Sequence, residues 1–409
     1  MAPLIDGKVN WRWLGTYAGS FASLLLGTAG QIASVLILAR YLGAYQFGIL
    51  MTISAAGQLG LNLCGLGSGE AMVRRVAREP SLYPTLLGHN LILVLGSGVV
   101  ICAALVAVIP FIFPDVGNQP QYLLTLVLLV TGQVIGIRWV MMVDQIFLAH
   151  RRYGIANFIN AGNNLFRAAT AAVAFLVFGI SSLAEWAVWL FGAAVIVTLV
   201  TLLLIRPFGR PHWQIVRSEL PLGLSYSTPA FFLAFRQNAD LVALGAFSNP
   251  AIVGAYAFAR RANDQAVVAI DALMRIVYPG LAIAGAEGVQ RVIPLTLRYT
   301  AMAVAVALAS AIAIFLVAPL LPWILGEDYA PSVTFLQILC WILLIKAIQA
   351  VVYDSLGAIE QHRFRARLFN LGSVVAVAVI AGLTWLFDWE GTLIGVYAAE
   401  IGITTALWL

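Results

Sequence analysis

The sequence predicts an all-α polytopic membrane protein with about 12 transmembrane helices in two parallel six-helix lobes, 1–205 and 206–409. Three observations predict it. Of 409 residues, 62% are hydrophobic and 10% charged, whereas soluble domains are about half apolar and a quarter charged. Mean hydropathy is +0.94. The apolar residues fall into blocks of about 20 or more, enough to cross a hydrocarbon core of ~30 Å. Basic residues gather in every second connection between blocks, which is the sign of a fixed orientation.

The blocks follow in order. The first begins near Trp11, runs to Ala39 and lacks a small-residue cleavage site, so it reads as a first span and not as a signal peptide. Five more cover 48–71, 84–113, 121–149, 154–178 and 182–205. The link Arg206-Pro-Phe-Gly-Arg-Pro-His-Trp213 is polar and rich in turn formers, and it divides the chain. Spans 220–247, 251–284, 299–325, 331–359, 368–387 and 391–409 complete the second lobe. The lobes echo each other at an offset of 206, with Leu38, Tyr41 and Gly48 falling on Leu244, Phe247 and Gly254. An even number of spans per half makes these parallel repeats about an axis along the membrane normal.

With the N-terminus inside, fifteen of the 23 basic residues lie in inner segments: Lys8, Arg12, Arg74, Arg75, Arg78, Arg151, Arg152, Arg206, Arg210, Arg217, Arg291, Arg298, Arg363, Arg365 and Arg367. The outer turns hold Arg40 alone, beside the acids Asp115, Glu327, Asp328, Asp388 and Glu390. Both ends therefore read as cytoplasmic. Trp11, Trp13, Trp186, Trp213, Trp323 and Trp389 near span ends read as an aromatic belt. The four histidines, His89, His150, His212 and His362, read as solvated or headgroup-facing.

Some chemistry is excluded. Cys64, Cys102 and Cys340 are scattered in apolar blocks, so they make neither a disulfide framework nor a zinc site, and no metal is expected. No Walker-type phosphate loop is present, so no ATP site is expected, and no long outer loop carries catalytic acids. The protein reads as a non-enzyme without a cofactor. Orientation accounts for the basic loops, so nucleic acid is not an expected partner.

Charge inside the spans is the informative anomaly, because ionised side chains at membrane depth are costly and face a bundle interior or a wet cavity. Arg236, Asp240, Arg260, Arg261, Asp264, Asp271 and Arg275 lie within 40 positions. At 100° per residue Arg260, Asp264, Asp271 and Arg275 share a stripe about 60° wide, and Arg260–Asp264 and Asp271–Arg275 are each spaced to pair along the helix. Arg138, Arg167 and Lys346 bring the embedded bases to seven, against the embedded acids Asp144, Asp240, Asp264, Asp271 and Asp354. Glu70 and Glu400 are read as nearer the cytoplasmic span ends. The charges either glue helices together or leave a surplus of base waiting for an anion; arginine does not shed its proton. Asn157, Asn160, Asn164 and Arg167 share one face of the fifth span, with Asn163 beside them, and either glue helices or accept sugar hydroxyls.

The outer turn Ala39-Arg-Tyr-Leu-Gly-Ala-Tyr-Gln-Phe-Gly48 resembles the signature turn of the polysaccharide-transporter family, the Wzx-type flippases of the multidrug/oligosaccharidyl-lipid/polysaccharide (MOP) superfamily. The second-half turn and Leu325-Gly-Glu-Asp-Tyr-Ala-Pro331 resemble it too. The resemblance implies two lobes around a central cavity that opens alternately to each side. It implies flipping of a polyprenyl-pyrophosphate-linked oligosaccharide (an O-antigen, capsule or exopolysaccharide unit) across the bacterial cytoplasmic membrane, with a proton or sodium ion coupled. Its partners would be membrane lipids, a polysaccharide polymerase and assembly proteins. On this reading Arg138, Asn160, Asn164, Arg167, Arg236, Arg260, Arg275 and Lys346 bind substrate, while Asp240, Asp264 and Asp271 balance charge or carry the ion. The competing readings are a drug or small-solute antiporter of the same superfamily and a non-transporting scaffold of a polysaccharide-assembly complex.

Overall fold

A computed structural model describes the backbone of residues 4–5, 8–9, 11–117 and 122–408. Of the expectations above, the side chains of Lys8, Trp11, Arg12, Trp13, His362 and Arg363, the outer turn at 118–121 and the end of the last span at Leu409 lie outside the described residues. A short antiparallel pair, β1 (Leu4–Ile5) and β2 (Lys8–Val9), precedes the helices.

The helices of the first half are α1 (Trp11–Leu63), α2 (Ser68–Val76), α3 (Tyr83–Ile112), α4 (Pro114–Gly117), α5 (Tyr122–Thr131), α6 (Ile137–Ala149), α7 (Tyr153–Ala172) and α8 (Leu183–Ile205). Those of the second half are α9 (Leu220–Phe247), α10 (Pro250–Glu287), α11 (Val289–Val317), α12 (Leu321–Leu325), α13 (Ala330–Leu339), α14 (Ile342–Ala358) and α15 (His362–Trp408). A π-helical segment, Gly132–Gly136, joins α5 to α6, and another, Val173–Val177, extends α7. Two of the long helices are each a pair of rods. α1 breaks at Gly43, whose φ of 70° suits a residue without Cβ, and α15 breaks at Phe387 and Asp388. Counted as rods, the described residues hold the 12 expected spans.

By length and apolarity, seven helices among the described residues are able to cross a membrane, or eight with the bent pair Glu327–Leu339 and Ile342–Ala358. That count takes each broken rod pair as one and passes over α7 and α9, whose amides and charges lower their hydropathy. α10 is among those that qualify, and the charged stretch 256–275 lies within this one continuous helix. The expected span 48–71 is interrupted. Gly65, Leu66 and Gly67 all have positive φ and separate α1 from α2.

Local signals set the ends. Ser182 caps α8 by accepting from the Glu185 N–H, while the Glu185 carboxylate accepts from the Ser182 N–H in return. Asn249 accepts from the Ala251 N–H at 2.8 Å and Pro250 occupies the first turn, which starts α10.

Two compact units result: Met1–Leu42 with Ile53–Phe231, and Gly43–Thr52 with Phe232–Leu409. The core of the first includes Tyr83, Trp139, Met142, Ile146 and Phe147. In the second, Ala303, Ala307 and Ala311 form a small-residue stripe on α11 packed with Ile270, Leu281, Leu343 and Val351. Small residues let membrane helices approach closely where burial from water supplies little drive. Trp186, expected in the aromatic belt, is instead buried and stacks on Phe175 at 5.7 Å. His89, expected to be solvated, is buried and its Nδ1 accepts from the Val216 N–H at 3.2 Å. The chain's own link thus supplies the donor that Nδ1 faces.

The second unit contains a reciprocal contact between segment 44–48 and the start of α10. A Cβ on Gly48 would fall 1.8 Å from the Pro250 carbonyl oxygen, and one on Gly254 would fall 2.0 Å from that of Ala44. Ala44 and Pro250, like Gly48 and Gly254, are 206 positions apart. Positions 206 apart thus meet each other reciprocally, as at a local two-fold axis.

Candidate functional site: intramembrane charge clusters

In the second unit, Tyr256, Arg260 and Asp264 succeed one another by four on α10 and share a face. α9 sets the buried Asp240 against them. Its Oδ2 accepts from the Tyr256 hydroxyl at 2.7 Å, and its Oδ1 accepts from Arg260 Nη1. Arg260 Nη2 donates to the Gln237 carbonyl, and its Nε lies 3.7 Å from Asp264 Oδ2. Lys346 on α14 closes the row, with Nζ 3.3 Å from Asp264 Oδ1. One turn before Asp240, Arg236 donates to Glu400 on α15 at 2.9 Å, and its guanidinium lies 4.8 Å from the Phe369 ring centroid. Gln349 on α14 donates to the other Glu400 oxygen at 3.2 Å. Four helices are thereby linked through ionised groups. Such pairs lose much of their Coulomb gain to desolvation, but removing one partner strands the other and is strongly destabilising.

Arg261 points about 100° away from Arg260. It is half-buried and makes no ion pair among the described residues. The adjacent Arg260 repels its charge and Asp264 attracts it.

In the first unit, the Gly65–Gly67 turn brings Glu70 of α2 onto α6. Arg138 Nη2 lies 3.3 Å from Glu70 Oε2, and Gln145 Nε2 donates to Oε1 at 2.9 Å. Gly69 permits this, because a Cβ there would fall 1.8 Å from Gln145 Oε1. Ser68 donates to Asn90 Oδ1 at 2.6 Å beside the same turn. On α7, Asn160 hydrogen-bonds Asp144 of α6. Asn164 lies against α1, where a Cβ on Gly27 would sit 3.4 Å from its Nδ2 and one on Gly30 3.1 Å from its carbonyl. Arg167 is half-buried on the same helix.

The residues expected at the site thus fall into three groups. Arg236, Asp240, Arg260, Asp264 and Lys346 come together in the second unit. Arg138, Asn160, Asn164 and Arg167 belong to the first unit, Arg138 to the Glu70 cluster and the others to α7. Asp271 and Arg275 are exposed, and the pair expected between them is not formed among the described residues. Asp271 instead lies within electrostatic reach of Asp354, which also faces Arg365. The expected surplus of embedded base is corrected as well. Glu70 and Glu400 take Arg138 and Arg236, so embedded acids equal embedded bases. The signal for Glu400 was its mid-span position in 391–409. Arg261, not among the expected binders, makes no ion pair among the described residues.

Comparisons place the fold among known proteins. The family model described as "polysaccharide biosynthesis protein" matches residues 17–281. No curated protein sequence matches the chain. Among solved structures, the lipid II flippase MurJ in an inward closed conformation aligns with a TM-score of 0.68 at 13% identity, covering 96% of this chain and 86% of that one. An outward-facing multidrug resistance MATE family transporter of the MOP superfamily aligns at 0.60 and 15%, covering 96% and 94%. A MOP superfamily transporter from Pyrococcus furiosus aligns at 0.56 and 17%, covering 96% and 95%. With the MOP transporter fold over nearly all its length and the family model matched over most of it, the chain belongs to the polysaccharide biosynthesis protein family.

Proposed function

We propose that this protein flips a polyprenyl-pyrophosphate-linked oligosaccharide from the inner to the outer leaflet of a bacterial cytoplasmic membrane by alternating access. The observation that carries this is Arg261, a half-buried guanidinium that makes no ion pair among the described residues, beside an Arg260 held by Asp240 and Asp264. A guanidinium fork matches phosphate oxygens two at a time and keeps its charge at any physiological pH. The balanced pairs around it lower the cost of holding charge at membrane depth. Arg275 and Lys346 extend the basic surface, and the amides of α7 suit sugar hydroxyls.

Membership of a polysaccharide biosynthesis family supports a glycan substrate, and a lipid II flippase has the same fold. Both termini are assigned to the cytoplasm by the loop charges. A proton or sodium gradient supplies the work, and a polysaccharide polymerase receives the flipped unit. The test is deletion of the gene, which should make the lipid-linked oligosaccharide accumulate on the inner leaflet; no accumulation rejects the reading. An antiporter for drugs or small solutes is the second reading, favoured by the equal numbers of embedded acids and bases. It predicts a change in drug susceptibility and no accumulated glycan lipid.

A further inference from the structure

The embedded aspartates differ in what neutralises them. Asp240 faces Arg260, Asp264 faces Arg260 and Lys346, Asp354 faces Arg365, and Asp271 is exposed. Asp240 and Asp264 have a cation in direct contact and Asp271 has open surroundings, which favour the ionised form, whereas the half-buried Asp354 has Arg365 nearby with Asp271 opposing it. Asp144 has neither a contacting cation nor open surroundings among the described residues. It is half-buried on α6, and its partner among the described residues is the Asn160 amide.

Helical phase explains the isolation. Arg138 and Gln145 are seven apart, so they share the α6 face that meets Glu70. Asp144 lies about 100° around from Gln145, toward α7. Among the described residues, the charged groups of the elements packed most closely on α6 are engaged elsewhere or distant. On α2, Glu70 holds Arg138, Arg75 holds Glu219 and Arg74 is exposed. On α7, Arg167 lies two turns, about 10 Å, beyond Asn160, and Arg152 before the helix lies over Phe208. On α8, Glu185 caps its own helix. His150, at the end of α6, bonds the Ile146 carbonyl.

We propose that Asp144 is the residue that binds and releases the coupling proton, in place of the cation-bound Asp240 and Asp264. This rests on the transport reading above. Ionised, Asp144 accepts from the Asn160 Nδ2–H across the α6–α7 contact. Protonated, it loses its charge and offers an O–H to the Asn160 carbonyl oxygen or to a sugar hydroxyl. One proton taken from one side thus changes the polar face of α7 that the substrate glycan meets.

The test is an infrared pH titration of the purified full-length protein in lipid nanodiscs, following the carbonyl band of protonated carboxyls. Wild type should show a carboxyl that takes up its proton within the pH range of transport. Asp144→Asn, nearly the same shape, should lack it, while Asp271→Asn should keep it; thermal melting checks that both variants fold. Persistence of the band in Asp144→Asn, or its absence from wild type, overturns the proposal. In cells, Asp144→Glu should keep export and Asp144→Asn lose it. If deleting the gene accumulates no lipid-linked glycan while the titration still assigns the proton to Asp144, the glycan reading fails and the proton site stands.

Discussion

Arginines 260 and 261 are neighbours in different surroundings. Arg260 is bound by Asp240, Asp264 and the Gln237 carbonyl, so it belongs to the frame. Arg260→Ala strands the buried Asp240 and should cost about 3–5 kcal/mol of stability, read as a lower melting temperature. Arg261→Gln breaks no ion pair among the described residues, so protein level and melting should hold. Export should fall about tenfold or more, since a hydrogen bond to a charged group contributes about 1.5–3 kcal/mol. Equal export by Arg261→Gln and wild type at equal protein level would remove Arg261 from the site. The Arg260–Asp264 contact was legible, because a spacing of four on one helix fixes a shared face. The Asp240–Tyr256–Arg260 cluster was not, because no spacing within a chain says which faces of α9 and α10 meet.

Elements were legible where the physics is local. Gly43, the Asn249–Pro250 cap and the Ser182–Glu185 box mark ends in the sequence itself. The break at Gly65–Gly67 was missed, although two glycines flank it, because apolar residues run through it and the hydropathy does not change. The repeat at Gly48 and Gly254 was visible as three weak matches. That the two glycines touch reciprocally was not, since it depends on tertiary approach. Gly48→Ala and Gly254→Ala should each destabilise by about 1–3 kcal/mol, because the Cβ meets backbone that cannot swing aside. In the double variant the costs should not add, since both substitutions open one contact. Gly96→Ala is the control. Nothing lies within 4 Å of a Cβ there, so its melting temperature should stay or rise. Unchanged melting in Gly48→Ala would refute the close contact.

At the scale of the whole molecule, the fold class followed from composition and blocks alone, since a helix is the cheapest way to satisfy backbone polar groups in hydrocarbon. The charge count did not carry over intact. It left out Glu70 and Glu400, and the surplus it predicted becomes a balance in which Arg261 stands apart. The claim that matters most is that the cargo is a glycan on a lipid diphosphate. The direct measurement is the sidedness of lipid-linked oligosaccharide in cells lacking the gene, complemented with wild type or Arg261→Gln. The glycan lipid is expected to collect on the cytoplasmic face, to clear with wild type and to persist with Arg261→Gln. An unchanged distribution in the deletion strain would contradict it.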